Sequence, residues 1–278
     1  MQADVLNRLA EVTGHPYALN QGDIEGALKY YRQALGIFQS LLNKREDKIA
    51  AEVDITNTQR KVAEIIAYQG DIAGGLKMMA EKRLHMEKVF ADTPLEYRLP
   101  MLILYTVEAH GNFHAGDLNK AEILIEKAWK IAYANTQANP KYHLILAFLH
   151  EETGHLALLN KRYDNAKQEY LAVISKYQGN DLWQHKRRIA RAHNGLACIA
   201  LQRGDSTTAL HHFQQILLAF KELNTKYPNV KSIQEKIVLL RSLHEKLNNN
   251  QLTVTTLSES LHCNNPLEFM IPPAKTIN

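Results

Sequence analysis

Two pairs of ionisable residues with one-turn spacing are the groups in this sequence best suited to bind a metal ion. His110 and His114 are four residues apart, as are Glu151 and His155. On helices this spacing places both side chains on one face, and stacked helices could bring the two pairs together. His150 and His155, however, are five apart, which misses the four-residue spacing of a zinc-protease helix. The pattern therefore favours polar residues lining a surface, with a metal-dependent enzyme as a lower-ranked alternative and no cofactor expected.

A basic run and a cysteine are the other chemical candidates. Residues 185–188, His-Lys-Arg-Arg, together with Arg191, could receive a phosphate or an acidic peptide. A solvated helical face is the ordinary interpretation, and nucleic-acid binding ranks low because no aromatic residues are interleaved. Cys198 follows the small Ala197 on a packed helix, which predicts a buried, inert thiol. No serine or cysteine has a neighbouring base and an oxyanion turn, so we expect no enzyme activity.

The composition indicates a chain of modest charge. Its 278 residues carry a formal net charge of +4, which does not by itself imply nucleic acid. Cys198 and Cys263 offer neither a metal spacing nor a disulfide framework, which suits a reducing cytoplasm. No apolar run approaches membrane-spanning length, and the first six residues lack a secretory pattern. We therefore expect a soluble, cytoplasmic protein without membrane insertion.

A Gly-Asp pair followed by a small residue recurs along the chain. Gly22-Asp23 precedes Ala27, Gly70-Asp71 precedes Gly75, Gly116-Asp117 precedes Ala121, and Gly204-Asp205 precedes Ala209. Each pair predicts a hairpin between two helices, because glycine can end one helix at positive φ and aspartate can cap the next. Alignment on the small residue finds a fifth copy at Ala166, whose hairpin has lost the Gly-Asp pair. Twelve positions before the small residue of the last four copies, on the preceding helix, stand Ala63, Ala109, Gly154 and Ala197.

This repeated unit resembles the tetratricopeptide repeat, a helix-turn-helix motif. Its five small residues are 43 to 48 positions apart, longer than the family's usual period of about 34, so each helix should carry an extra turn. The resemblance implies an all-α fold, a right-handed superhelical solenoid of about five helix pairs over residues 1–228. A capping helix is expected at 229–248. A tail at 249–278 is expected to be flexible or docked, and its apolar stretch at 265–273 leaves both open.

A narrower resemblance concerns residues 15–28, His-Pro-Tyr-Ala-Leu-Asn-Gln-Gly-Asp-Ile-Glu-Gly-Ala-Leu. This stretch is similar to the start of tetratricopeptide arrays that follow the catalytic domain of some bacterial serine/threonine protein kinases. The resemblance implies a bacterial signalling context. The kinase's Gly-rich phosphate loop, catalytic-loop His-Arg-Asp and Asp-Phe-Gly are absent from this sequence, so we do not expect kinase activity.

In the tetratricopeptide family, the first helix of each pair lines a concave groove at fixed offsets from its small residue. Carried over to this sequence, the convention selects the following groove residues: Asn57, Arg60, Glu64, Thr106, His110, Phe113, Phe148, Glu151, His155, Arg191 and Asn194. The resemblance thus implies a non-catalytic scaffold that binds a protein segment or peptide in signalling or complex assembly. A regulatory module that senses a ligand or peptide and controls an effector is the alternative.

Overall fold

All regular structure in the described part of the chain is helical. The computed structural model describes residues 2–18, 20–138, 143–180 and 182–248, together with Leu261 and Cys263. Within these residues there are eleven α-helices and one short 3₁₀ turn, with no strand. The helices are α1 (Gln2–Gly14), α2 (Ile24–Leu41), α3 (Lys48–Tyr68), α4 (Ile72–Val89), α5 (Leu99–His114), α6 (Leu118–Ala138), α7 (His143–Leu159), α8 (Tyr163–Tyr177), α9 (Trp183–Gln202), α10 (Ser206–Lys226) and α11 (Lys231–Asn248). The all-α prediction is confirmed.

The helix ends follow local signals in the sequence. The 3₁₀ turn Leu95–Tyr97 begins directly after Pro94, and Pro100 lies in the first turn of α5, where its missing N–H leaves no helical bond unmade. The apolar stretch at 265–273 lies outside the described residues. Among the described helices, none has the length and apolar character needed to cross a membrane.

The helices form two compact units, residues 1–140 and residues 141–273. In the first unit, α1 to α6 pack in chain order, and α3 also contacts α5. In the second unit, α7 to α11 do the same, and α7 also contacts α9. Contact between alternate helices is what stacked helical hairpins produce. A single repeat array over 1–228, its handedness and its number of repeats stay predictions.

The four Gly-Asp hairpins have the predicted local geometry. Their glycines all have positive φ, from 74° at Gly204 to 107° at Gly70. Each aspartate side chain accepts a hydrogen bond from a backbone N–H three residues further on, at 2.8 to 3.0 Å: Asp23 from Gly26, Asp71 from Gly74, Asp117 from Lys120, and Asp205 from Thr208. The sequence therefore predicts these turns correctly from the chemistry of two residues.

The small residue after each hairpin is a point of close helix contact. Ala27, Ala121, Ala166 and Ala209 have no exposed surface. At Gly75 even a methyl group does not fit, because a Cβ there would lie 2.7 Å from the backbone oxygen of Ala63 on α3. The larger residues four positions later fill the core and are at most 5% exposed: Tyr31, Met79, Ile125, Tyr170 and Phe213.

The fifth hairpin, between α7 and α8, makes the same turn with unsuitable residues. Lys161 stands where the others have glycine, and it is the only non-glycine residue with positive φ (57°) in the described chain. Arg162 stands at the aspartate position and provides no side-chain cap to α8. A side chain in the left-handed region costs about 1 to 2 kcal/mol, so this hairpin stores strain.

We predict that Lys161→Gly raises the free energy of unfolding by roughly 0.5 to 1 kcal/mol. The relief of left-handed strain exceeds the extra freedom that glycine gives the unfolded chain. Urea denaturation followed by circular dichroism measures the change. Gly116→Ala is the matched control: its φ is 79° and a Cβ has open space, so the variant loses stability through backbone conformation alone. A loss of stability in Lys161→Gly would contradict the prediction.

Candidate functional site

The second unit contains a buried group of ionisable side chains, here called the Glu151 cluster: Glu151, Glu152, His155, Arg188 and Arg191. The first three lie on α7 and the arginines lie on α9. Glu151 is fully buried, and its Oε1 lies 2.7 Å from Arg191 Nε. Arg188 donates a hydrogen bond to Oε2 of the same carboxylate. Arg191 Nη2 also lies 3.8 Å from Glu152 Oε1. The cluster therefore joins α7 to α9 through charge.

The electrostatics of the cluster keep Glu151 ionised. Burial alone would raise the pKa of this carboxyl group, but Arg191 and Arg188 lower it below its usual value. A carboxylate out of water is tolerated only when its charge is compensated, so the ion pairs are required for α7 and α9 to pack in this way.

Tyr170 of α8 packs against the Glu151 cluster through His155. Its ring is fully buried and lies 5.5 Å from the His155 ring in an edge-to-face arrangement. A Cβ at Gly195 would lie 2.2 Å from the ring, and one at Gly154 would lie 2.9 Å from it. Burial raises the pKa of Tyr170 well above its usual value. The two glycines thus allow an aromatic residue to fill the space between α7 and α9.

One face of α9, defined by Arg191, Asn194 and Cys198, contacts the tail of the chain. The side-chain amide Nδ2 of Asn194 donates a hydrogen bond to the backbone carbonyl of Leu261 at 3.1 Å. Leu261 has no exposed surface, and Cys263 is 6% exposed. Two residues of the predicted tail are therefore packed on this α9 face.

Cys198 and Cys263 form a disulfide, with their Cα atoms 5.2 Å apart. The predictions of an inert Cys198 thiol and of no disulfide framework were therefore wrong. The physical reason is that the two cysteines are 65 residues apart in sequence and meet only because the tail returns to α9. The cysteine argument for a reducing compartment loses its basis, and a cytoplasmic location stays a prediction.

The first unit contains a smaller counterpart, the Glu64 cluster, formed by His15, Arg60 and Glu64. His15 Nε2 lies 3.0 Å from Glu64 Oε2, and Arg60 donates a hydrogen bond to Oε1. Burial would raise the pKa of Glu64, but Arg60 and His15 lower it to about 2. Tyr31 lies beside the cluster, with its ring 5.8 Å from that of His15, and burial raises its pKa.

The structure places the predicted groove residues in two groups. Arg60 and Glu64 meet in the first unit. Glu151, His155 and Arg191 meet in the second unit, where Arg188 lies over the Phe148 ring at 4.1 Å, and Asn194 bonds the tail instead. Asn57 and His110 are half-buried, and the His110 ring contacts Tyr17 and His114. Thr106 and Phe113 are buried, and the Thr106 hydroxyl donates to the backbone of its own helix. Convergence of His110 and His114 with Glu151 and His155 stays a prediction.

Three side chains of the Glu151 cluster are of types that bind metal ions and lie close together. Glu151, Glu152 and His155 offer ligand atoms that all lie within 4.8 Å of one another. Arg188 and Arg191, however, already supply two positive charges to the two carboxylates. An added divalent cation would be repelled by both guanidinium groups. The arrangement is that of an ion-pair network, and it gives the metal-enzyme alternative no support.

The basic run at 185–188 is also engaged by the protein itself. Lys186 Nζ lies 2.6 Å from Glu222, and the His185 ring stacks on Tyr177 at 4.3 Å. Arg188 belongs to the Glu151 cluster. These contacts reduce the charge that the run could offer to an anion. They also show that a fully solvated face was the wrong interpretation for Arg188 and Arg191.

We predict that Glu151→Gln lowers the free energy of unfolding by about 3 kcal/mol, because it leaves Arg188 and Arg191 without their shared counter-charge. The control is Glu222→Gln, which breaks an ion pair whose carboxylate is 50% exposed and should cost less than about 1 kcal/mol. Urea denaturation of both variants measures the difference. Equal losses would show that the Glu151 pairs contribute no more than a surface contact.

Acid unfolding tests the Glu64 cluster. Because the pKa of Glu64 is lowered from 4.5 to about 2, its contribution to stability is fully present above pH 4.5 and is lost as the pH falls through about 2. The difference in free energy of unfolding between the wild type and Glu64→Gln should therefore decrease as the pH falls from 4.5 to about 2. Urea denaturation at a series of pH values measures this difference. Glu126→Gln removes a carboxylate at an exposed position on α6 and is the matched control for the loss of one negative charge.

Comparison of this chain with protein-family models and with curated proteins finds no match. The tetratricopeptide resemblance therefore stays a prediction from residue spacing. The α9 face shares Arg191 with the Glu151 cluster and carries the tail residues Leu261 and Cys263.

Proposed function

We propose that this chain is a non-catalytic module that binds a segment of another protein, or a peptide, on the α9 face. One observation carries the proposal: Asn194, fully buried on this face, donates a hydrogen bond to the backbone carbonyl of Leu261. An amide side chain that bonds a backbone carbonyl recognises the chain itself, whatever its side chains are. A face that already accepts one segment in this way is suited to accept another.

The apolar part of this contact supports the same proposal. Leu261 is fully buried although it lies outside the helices. Burying a leucine side chain stabilises a contact by roughly 1.5 to 3 kcal/mol. A buried apolar side chain next to a bonded backbone carbonyl is the usual composition of a peptide-binding groove. The bound segment would therefore offer an apolar side chain at the position that Leu261 takes.

Rigid support behind the α9 face favours binding over chemistry. Glu151 is held by Arg188 and Arg191, and both cysteines are in the disulfide. These groups are engaged in holding helices and tail together, so the proposal assigns none of them to catalysis. Preorganised side chains lose little freedom when a ligand binds, which favours affinity.

The finer architecture belongs to the same proposal. The tetratricopeptide resemblance implies about five helix pairs in a right-handed superhelix with a concave groove, and a role in bacterial signalling or complex assembly. Two observations support this architecture. The same aspartate cap occurs in all four Gly-Asp hairpins, and the small residue that follows, as at Gly75, lies in close contact with the preceding helix.

The proposal is tested by selecting peptides from a random-sequence library on the full chain, before and after treatment with dithiothreitol. We predict that Asn194→Ala weakens binding of the selected peptides about tenfold, since one hydrogen bond to the peptide backbone is worth up to about 1.5 kcal/mol. Fluorescence anisotropy measures the affinities.

The matched control is Asn165→Ala, which removes an exposed asparagine on α8 of the same unit and should leave affinity unchanged. The proposal is overturned if no peptide is selected in either condition. It is overturned equally if Asn194→Ala binds every selected peptide as tightly as the wild type does.

A further inference from the structure

The contact between the tail and the α9 face has three components of different kinds. Asn194 provides a hydrogen bond to the Leu261 carbonyl, Leu261 contributes a fully buried apolar side chain, and Cys263 forms a covalent bond to Cys198. Asn194 and Cys198 are one helical turn apart, so they present their side chains on the same face of α9. Tail residues thus occupy the face to which we assign peptide binding.

Only one of the two polar groups of the Asn194 side-chain amide is hydrogen-bonded in this contact. Its side-chain carbonyl oxygen Oδ1 is buried and has no hydrogen-bond partner among the described residues, whereas its Nδ2 is bonded to Leu261. A buried acceptor without a donor destabilises the state that contains it. An asparagine amide can bond both the carbonyl and the N–H of a peptide backbone. The unused acceptor therefore indicates a ligand that offers a backbone N–H as well as a carbonyl.

We propose that the tail segment containing Leu261 and Cys263 is an internal ligand of the α9 face, kept in place by the Cys198–Cys263 disulfide until a dithiol reductant opens that bond. The inference rests on the proposed peptide-binding function. The external ligand is a peptide with a leucine-like side chain, whose backbone carbonyl and N–H both bond Asn194.

The redox step is ordinary thiol–disulfide exchange. A thiolate of the dithiol attacks one sulfur of the Cys198–Cys263 bond, forms a mixed disulfide and releases the other cysteine as a thiolate. The second thiol of the reductant then attacks the mixed disulfide and releases the first cysteine. In total the protein disulfide gains two electrons and two protons and becomes two thiols, while the dithiol becomes a disulfide. Cys263 is the more exposed of the pair.

The disulfide determines whether an external peptide can replace the tail, because the tail is part of the same chain and always competes for the α9 face. A tethered ligand competes at an effective concentration in the millimolar range even without a covalent bond. The disulfide removes dissociation altogether, so an external peptide cannot exchange with the tail while the bond is intact. After reduction, exchange becomes a competition that a better-fitting peptide can win.

The first measurement tests the covalent bond without any ligand. Peptide mapping under non-reducing conditions should recover Cys198 linked to Cys263. After dithiothreitol treatment of the folded chain, alkylation of the two cysteines by iodoacetamide should rise at least tenfold while circular dichroism shows the helices intact. Free thiols in the air-oxidised chain, or alkylation that does not respond to dithiothreitol, would overturn the proposal.

The second measurement uses a fluorescent synthetic peptide with the sequence of residues 256–268 that carries Cys263→Ser. Its affinity should rise at least tenfold when the wild-type chain is reduced, and further in the reduced Leu261→Asp chain, whose own tail no longer competes. Leu171→Asp, at an exposed leucine of α8, should behave as the wild type. The Cys263→Ser chain should bind the probe equally with and without dithiothreitol. A scrambled peptide of the same composition should not bind.

The outcomes separate the two proposals. Equal affinity of the probe for oxidised and reduced wild type overturns the disulfide-retained internal ligand and leaves the peptide-binding function in place. If the reduced chain is alkylated as expected but binds neither the probe nor any library peptide, the peptide-binding function fails, and the internal ligand fails with it.

Discussion

The arrangement of the second unit depends on one buried carboxylate. Glu151 of α7 has no exposed surface, so it can be ionised there only with positive charge beside it, and α9 supplies Arg188 and Arg191. This requirement fixes which face of α9 points toward α7. Asn194 follows one turn after Arg191, and Cys198 follows one turn later, so the same constraint sets the position of both residues that hold the tail. Tyr170 fits between α7 and α9 only because Gly154 and Gly195 leave room for its ring.

The first unit uses the same solution with different residues. Glu64 and Glu108 are both buried there, the former paired with Arg60 and His15, the latter with Arg83 at 2.6 Å. Tyr31 lies beside Glu64 at the repeat position that Tyr170 takes in the second unit. A tyrosine on the second helix of a hairpin, next to a carboxylate that is neutralised locally, is therefore a recurrent way of packing these helix pairs. Buried ion pairs are weak sources of net stability but demand a particular alignment of the helices that carry them.

Local features of this chain were predictable, and its long-range pairings were not. The Gly-Asp hairpins depend on backbone conformation and capping within a few residues, so the residue types at those positions are enough to predict them. Glu151 and Arg191 were selected by repeat offset, but their pairing was not foreseen, and neither were the roles of Arg188 and His15, because each partner is tens of residues away. Repeat offsets also do not predict burial: Thr106, Phe113 and Asn194 were all selected as groove residues, and all three are buried. The Cys198–Cys263 pairing had no local signal at all, since it depends on where the tail packs.

The disulfide also changes the topology of the second unit. It closes a covalent ring that begins at Cys198 on α9, runs through α10 and α11, and returns along the tail to Cys263. A single cut in the turn between α10 and α11 would open this ring without separating the chain into two pieces. Force applied to the two ends of the protein would bypass α10 and α11, because the cross-link carries the tension past them. The last two helices are therefore shielded from mechanical unfolding for as long as the bond is closed.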